Sequence, residues 1–293
     1  MFTILKKGRM YIISGTASES IARDLSKKLK VPLAKTITKR FPDQELYVRI
    51  MDDIENEEII IVQTTYPDPN IIELFLIQNA VVEADADKIT TVIPYYGYAR
   101  QDTMFKKGEA ISAKVLAELI GLNSDRVITV DPHKEYILDF FKTEAYSCTA
   151  VPSIAKYLKK KNLDMVLAPD KGALNRAKTA SEIINCDFDY MEKTRIDGET
   201  VEIKPKNLDV ENKNVGIIDD IISTGGTMAK SIKELRKQKA KKIFVSCTHG
   251  LFADQAIKKL NSSGCDEIIS TDTIENDYSK VEIAPAILEL IKQ

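Results

Sequence analysis

Two adjacent carboxylates, Asp219 and Asp220, end an apolar run that begins at Val215, and Ser223, Thr224, Gly225, Gly226 and Thr227 follow directly. Glycines let a backbone approach an anion closely. The N–H groups that open a helix point outward with the positive end of its dipole, and hydroxyls add donors. The stretch is therefore an anion cradle. Two acids beside such a cradle repel an anion unless the same ligand brings donors to meet them, and a ribose does so with its 2′ and 3′ hydroxyls. A sugar phosphate satisfies both halves. A strand, glycine turn and capped helix with no ligand would leave paired carboxylates at a buried edge uncompensated, which costs free energy.

Other residues offer chemistry less specifically. Asp131-Pro132-His133 follows the apolar run Val127 to Val130, which puts an imidazole at a strand's carboxyl end, as a surface histidine or as a ligand. Asp170, in Ala168 to Ala173, gives the single carboxylate that suffices to anchor Mg²⁺, an ion that keeps its waters and takes further ligands from phosphates. Lys193 and Arg195 stand in a stretch without apolar anchoring, either as solvated cations or as a pair able to close over phosphates. Phe41 to Glu45, FPDQE, reads equally as a solvated turn or a site, and Arg100 in Tyr95 to Asp102 has the planar fork that grips phosphate oxygens or stacks on a base. His249, in Thr248-His249-Gly250, has no assignable task. No GxxxxGK[ST] occurs, so a nucleotide would not sit in a Walker-type loop.

The elements that must position these groups read as an alternating β/α chain. Strands are expected at Tyr11 to Ile13, Glu58 to Gln63, Ile89 to Ile93 and Val127 to Val130, then at Met165 to Ala168, Val215 to Asp219, Ile243 to Ser246 and Glu267 to Ile269. Amphipathic helices lie between them, such as the one carrying Ile21, Leu25 and Leu29 behind Ser18 and Ser20. A boundary is expected near residues 142 to 152, where Val151-Pro152 can open a helix with proline in its first turn. Gly97 to Ala110 and Lys193 to Glu199 read as loops after strands, where open parallel sheets bind ligands.

Composition narrows the partners. The 293 residues suit two domains, and 42 basic against 44 acidic residues, with no long like-charge block, argue against nucleic acid. The first apolar stretch is broken by Lys6, Lys7 and Arg9, so no signal or membrane span is expected and the protein is placed in the cytoplasm. Cys148, Cys186, Cys247 and Cys265 form no CxxC pair and read as reduced, mostly buried thiols.

DDIISTGGT resembles the phosphoribosyl pyrophosphate signature shared by type I phosphoribosyltransferases and ribose-phosphate diphosphokinases. FPDQE and YYGYARQD resemble nucleotide-binding stretches of the diphosphokinases and are not expected in a simple transferase. The likeness runs from Ser14-Gly15 to Thr271-Asp272-Thr273-Ile274 and is nearest to the shorter archaeal-type members. It implies an α/β protein of two doubly wound parallel-sheet domains of the type I phosphoribosyltransferase-like fold. Residues 1–145 would contribute the ATP-binding groups and residues 146–293 the ribose 5-phosphate loop. The implied reaction, in nucleotide biosynthesis, moves the diphosphoryl group of ATP, as co-substrate, to the C1 hydroxyl of ribose 5-phosphate, giving phosphoribosyl pyrophosphate and AMP with Mg²⁺ as cofactor.

By the same resemblance Asp43, Gln44 and Glu45 meet the adenine and ribose of ATP with Phe41 beside the base, and Arg100 and Gln101 reach ATP. His133 helps to hold Mg²⁺ and the ATP phosphates, and Asp170 a second Mg²⁺. Lys193 and Arg195 belong to a mobile catalytic loop, Arg195 also touching ribose 5-phosphate, which Asp219, Asp220, Ser223, Thr224, Gly225, Gly226 and Thr227 bind. Lys171 and Ala173 depart from the neutral residue and second glycine of many members. A homo-oligomer, dimer or larger, is implied. Thr103 to Glu109 departs from the ADP-inhibited members, so weak or absent ADP control is expected. A phosphoribosyltransferase consuming phosphoribosyl pyrophosphate is the first alternative, disfavoured by the ATP-side segments and the two-domain length. A non-catalytic regulatory relative is the second, disfavoured by the retained Asp170, Lys193 and Arg195.

Overall fold

A computed structural model describes residues 8–191 and 208–293 in full, and residues 193–195 and 201–203 in their backbone. The chain divides into two compact units, residues 1–148 with 283–293, and residues 149–282.

The first unit contains β1 (Met10–Ser14), α1 (Glu19–Leu29), β2 (Thr36–Arg40), β3 (Leu46–Ile50), β4 (Glu58–Val62), α2 (Pro69–Val82), β5 (Lys88–Ile93), α3 (Ser112–Gly121), β6 (Arg126–Val130) and β7 (Glu144–Cys148). Five strands form a parallel sheet in the order β1-β4-β5-β6-β7, while β2 and β3 pair antiparallel as a separate hairpin. The central strands are unbroken β-branched runs such as EIIIV because both faces are covered. Ile59, Ile61 and Ile93 pack with Leu74 and Ile77 of α2 and Leu116 and Ile120 of α3.

The second unit contains α4 (Val151–Lys159), β8 (Met165–Ala168), α5 (Leu174–Ile184), β9 (Asp187–Tyr190), β10 (Lys193–Arg195), β11 (Val201–Ile203), β12 (Asn214–Ile222), α6 (Gly226–Lys237), β13 (Lys242–Gly250), α7 (Ala256–Ser262), β14 (Glu267–Thr271) and β15 (Ser279–Val281). Its parallel sheet runs β15-β14-β13-β12-β8-β9. From β8 the chain moves outward to β9, and from β12 it moves the other way to β13, β14 and β15. The reversal falls between β8 and β12, which is where open parallel sheets form a ligand crevice at their carboxyl ends. Met228, Ile232 and Leu235 of α6 pack on Val215, Ile217 and Val245 beneath it. The last helix, α8 (Ala284–Ile291), returns to the first unit, where Arg126 donates to its Leu290 carbonyl at 2.9 Å.

Each expected strand is present. Other segments pair although the sequence does not mark them as strands: the β2–β3 hairpin, edge strands β7, β9 and β15, and Lys193–Arg195, which pairs antiparallel with Val201–Ile203 where a loop is expected. Ser18 occupies the N-cap position of α1 but does not cap it; its Oγ accepts from the Thr64 amide at 2.9 Å and ties the helix entry to the end of β4. Among the described residues no helix is long and apolar enough to cross a membrane. The cysteines are free, and Cys247 is fully buried while the other three are half-buried.

Candidate functional site

In the second unit β12 carries the acid pair beside the topological switch point between β8 and β12. The strand runs two residues past the pair, to Ile222, so both aspartates sit inside a hydrogen-bonded ladder, with Asp219 opposite Cys247. Their own backbone fixes them: the Asp220 amide donates to Asp219 Oδ1 at 2.9 Å and the Ile221 amide to Asp220 Oδ1 at 3.0 Å. Burial, then the neighbouring Asp220 charge, hold the Asp219 carboxyl well above the usual carboxylate range. Arg176, on α5, places a guanidinium nitrogen 3.5 Å from Asp220 Oδ2 and counters this rise. The pair can thus keep a proton while no ligand is present and still offer acceptor oxygens to vicinal hydroxyls.

The cradle is built as its residues require. Gly225 has φ +71°, the left-handed conformation that opens α6, and a Cβ there would lie 3.2 Å from Ala256 Cβ. No side chain caps α6. Its first amides are therefore not taken by a capping side chain, and Thr224 and Gly226 beside them are exposed. Lys259 of α7 donates to the Thr224 carbonyl at 3.3 Å, and the amides of Leu251 and Phe252 both donate to the Ile222 carbonyl at 3.1 Å. These bonds hold the loop from Ser223 to Thr227 from beneath.

Asp170 follows β8, the strand adjacent to β12, and its Oδ1 accepts from the amides of Gly172 at 2.9 Å and Ala173 at 3.3 Å. The sheet thereby sets Asp170, Asp219 and Asp220 along neighbouring strand ends. Cys247 takes no part, since burial pushes its thiol far up. His249 is 1 % exposed, with Nδ1 2.9 Å from Thr273 Oγ1, in a buried network with Thr248 and Thr271. The side chains of Lys193 and Arg195 lie outside the described residues; their backbone is in β10.

In the first unit, FPDQE is the turn of the β2–β3 hairpin. The Phe41 amide donates to Glu45 O and the Gln44 amide to Phe41 O, both at 2.9 Å, and Glu45 N donates to Asp43 Oδ1 at 3.1 Å. Phe41 packs edge-on against Tyr47, with Lys39 above both rings. Gln44 and Glu45 line a groove of about 670 Å³ with Arg40, Asp68, Ile72 and Tyr98. Tyr98 brings the second stretch to that groove: it has φ +63° and donates to Asp68 Oδ1 at 2.8 Å. Phe41, Asp43, Arg100, Gln101 and His133 do not line it. Arg100 is exposed, and the Gln101 amide donates to Tyr98 O at 3.0 Å. His133 follows Asp131, which has φ +37° and donates its amide to Cys148 O at 2.9 Å. Tyr98, in the loop after β5, and Asp131, directly after β6, both hold left-handed backbone that is uncommon outside glycine. Asp102 and Tyr136, three residues past His133, join the two loops by a 2.5 Å hydrogen bond.

Sequence reading missed Arg176, Lys259 and Tyr136. Each acts through a partner distant in the chain, and none belongs to a local pattern.

Known proteins resemble this arrangement throughout. Residues 10–122 match the N-terminal domain of ribose phosphate pyrophosphokinase, and residues 150–283 match the phosphoribosyl transferase domain. The ribose-phosphate pyrophosphokinase of Methanothermobacter thermautotrophicus is 39% identical over 284 residues, covering 96% of this chain and 99% of the relative. That of Sulfurisphaera tokodaii is 43% identical over 292 residues, covering 96% and 100%. The crystal structure of phosphoribosylpyrophosphate synthetase from Mycobacterium smegmatis superposes with a TM-score of 0.85 at 26% identity, over 97% of this chain and 98% of that one.

Proposed function

The chain belongs to the ribose-phosphate pyrophosphokinase family, and we propose that its two units divide the work of making phosphoribosyl pyrophosphate, the first taking ATP and the second ribose 5-phosphate. The observation that carries the acceptor assignment is the junction of β12 and α6. Asp219 and Asp220 lie on the strand, and the left-handed Gly225 turns the chain so that the uncapped amides of α6 follow. The carboxylates accept from the ribose 2′ and 3′ hydroxyls, while the Ser223 to Thr227 amides and hydroxyls hold the 5-phosphate. With both ends of the sugar fixed, the C1 hydroxyl has one direction in which to attack.

That hydroxyl attacks the β-phosphorus of ATP. A C1–O–Pβ bond forms, the bond from Pβ to the oxygen bridging the α-phosphorus breaks, AMP departs with that oxygen, and the hydroxyl proton passes to solvent. Phe41, Asp43, Gln44 and Glu45 on the hairpin, with Arg100, Gln101 and His133, orient the nucleotide. Lys193 and Arg195 neutralise charge that gathers on the phosphoryl oxygens, and Arg195 also steadies the acceptor phosphate. Catalysis of this kind rests on positioning and electrostatics and needs no covalent enzyme intermediate.

His133 and Asp170 suit Mg²⁺. Asp170 offers a single carboxylate at a strand's carboxyl end, which is what a hard cation that keeps its waters and shares substrate phosphate oxygens asks for, and His133 would help to hold a separate ion together with the ATP phosphates. When bound, the ion supplies charge neutralisation on the phosphates. By the same family likeness the protein works in the cytoplasm as a homo-oligomer, dimer or larger.

AMP release from ATP and Mg²⁺ in the presence and absence of ribose 5-phosphate tests the whole reading. Release that requires the sugar phosphate is expected. A protein that instead consumes phosphoribosyl pyrophosphate with a nucleobase and releases no AMP would be a phosphoribosyltransferase.

A further inference from the structure

Asp102 ends the segment that carries Arg100 and Gln101, and it is 8 % exposed. Tyr136 lies in the short 3-10 helix Glu135–Phe140 that follows His133, and it is 43 % exposed. Its hydroxyl donates to Asp102 Oδ2 at 2.5 Å, the length of a charge-assisted O–H···O⁻ bond. The phenol is held at its other end by Phe140, with ring centroids 6.0 Å apart and edge-on at 76°. Burial of the ring cannot explain the residue, because nearly half of it faces solvent. The hydroxyl is what it contributes.

We propose that Tyr136 is a positioning residue for ATP: through Asp102 it fixes the loop bearing Arg100 and Gln101 against the loop bearing His133, so that guanidinium, amide and imidazole meet the nucleotide already arranged. This rests on the assignment of those residues to ATP. Each loop also has bonds to its own surroundings. The Gln101 carbonyl accepts from the Ala113 amide at 3.2 Å and its side-chain amide donates to Thr103 O at 3.2 Å, while the other loop is tied by Asp131 to Cys148 and by the Ile137 amide to Lys134 O at 3.1 Å. The tyrosine bond spans the two. A tether that removes the independent motion of the two loops lowers the ordering cost of binding. The bond to Asp102 also raises the phenol's pKa.

The test is titration of the intact enzyme with ATP and Mg²⁺ without ribose 5-phosphate, together with steady-state kinetics. Tyr136→Phe removes the hydroxyl and keeps the ring against Phe140. A rise of about three- to tenfold in Kd for ATP is expected, the size of one such hydrogen bond, with KM for ribose 5-phosphate and Tm unchanged. Asp102→Asn weakens the same acceptor, and the double variant should bind ATP no more weakly than the poorer single one, since both act through one bond. Unchanged ATP affinity in Tyr136→Phe, while Arg100→Ala and His133→Ala both bind ATP weakly, overturns the tether alone. Equal losses for ATP and ribose 5-phosphate, or a lowered Tm, overturn it in favour of a structural role. Normal ATP binding by Arg100→Ala and His133→Ala overturns the ATP assignment and the tether with it.

Discussion

Arg176 sits 3.5 Å from the carboxylate of Asp220, and through that contact a helix that follows β8 steadies the acid pair on β12. Asp220 is 7 % exposed and adjoins a second acid, so the guanidinium supplies a countercharge where water is scarce. Arg176→Gln should raise KM for ribose 5-phosphate about tenfold, corresponding to about 1.4 kcal/mol, with KM for ATP much less affected. Initial-rate kinetics with each substrate varied in turn decide it. Equal KM values for ribose 5-phosphate in variant and wild type would remove Arg176 from the acceptor site.

Asp219 gives a pH signature. Folded Asp219 holds its proton to a higher pH than the unfolded chain does, because burial and Asp220 disfavour its charge. Below the ordinary carboxylate range both states are protonated and nothing is lost. Above it, unfolding releases a proton, so the folded state loses stability as pH rises, at up to about 1.4 kcal/mol per pH unit until the folded group ionises too. Asp219→Asn imitates the protonated form and removes the slope. Melting curves of ligand-free protein from pH 5 to pH 8 should therefore show the variant gaining on wild type as pH rises. A constant Tm difference would mean that Asp219 is ionised in the folded protein.

These two residues show where sequence was informative and where it was not. The acid pair and its glycine turn were legible because a central parallel strand is apolar without interruption, which makes two carboxylates at its end conspicuous. Arg176 was not, since it lies in LNRAKT, an ordinary polar helix face, and its partner is on another strand. The β2–β3 hairpin was hidden because TITKR and LYVRI are only half covered and interleave charges, so FPDQE looked like any solvated turn. Edge strand β7, EAYSC, lacks the apolar run that marks its neighbours. The order β8-β12 at the centre of the second sheet, which makes the crevice, is a property of topology and has no local sequence signal.

The two glycines of the cradle should separate folding from binding. Gly225 is left-handed and would bring a Cβ within 3.2 Å of Ala256, so Gly225→Ala costs about 1–2 kcal/mol for the conformation alone, with crowding added. Gly226 starts α6 with open space around it, its nearest neighbour being Thr224 Oγ1 at 3.9 Å. Gly226→Ala should leave Tm unchanged or slightly raised, alanine being the better helix former, yet raise KM for ribose 5-phosphate by narrowing the approach to the amides. Calorimetry and kinetics on both variants check the pair. A Gly226→Ala enzyme with wild-type KM would show that the phosphate does not approach that position.

Lys193 tests the chemical step apart from the acceptor. On the proposed reading, the acid pair and the Ser223 to Thr227 amides beside the β8–β12 junction seat ribose 5-phosphate before any charge has moved. A cation from β10 matters most when the diphosphoryl group is in transit, since an interaction made more strongly in the transition state than in the ground state lowers kcat and leaves KM alone. Removal of one preorganised electrostatic group typically costs a factor of about 10²–10³ in kcat. Lys193→Ala should fall in that range while KM for ribose 5-phosphate changes little. Lys193→Arg, which restores charge in a different shape, should recover part of the loss. Rapid-quench measurement of AMP formation in a single turnover distinguishes slow chemistry from slow product release. Near-normal single-turnover rates in Lys193→Ala would take this lysine out of the reaction and leave Arg195 and the metal to neutralise the phosphoryl oxygens.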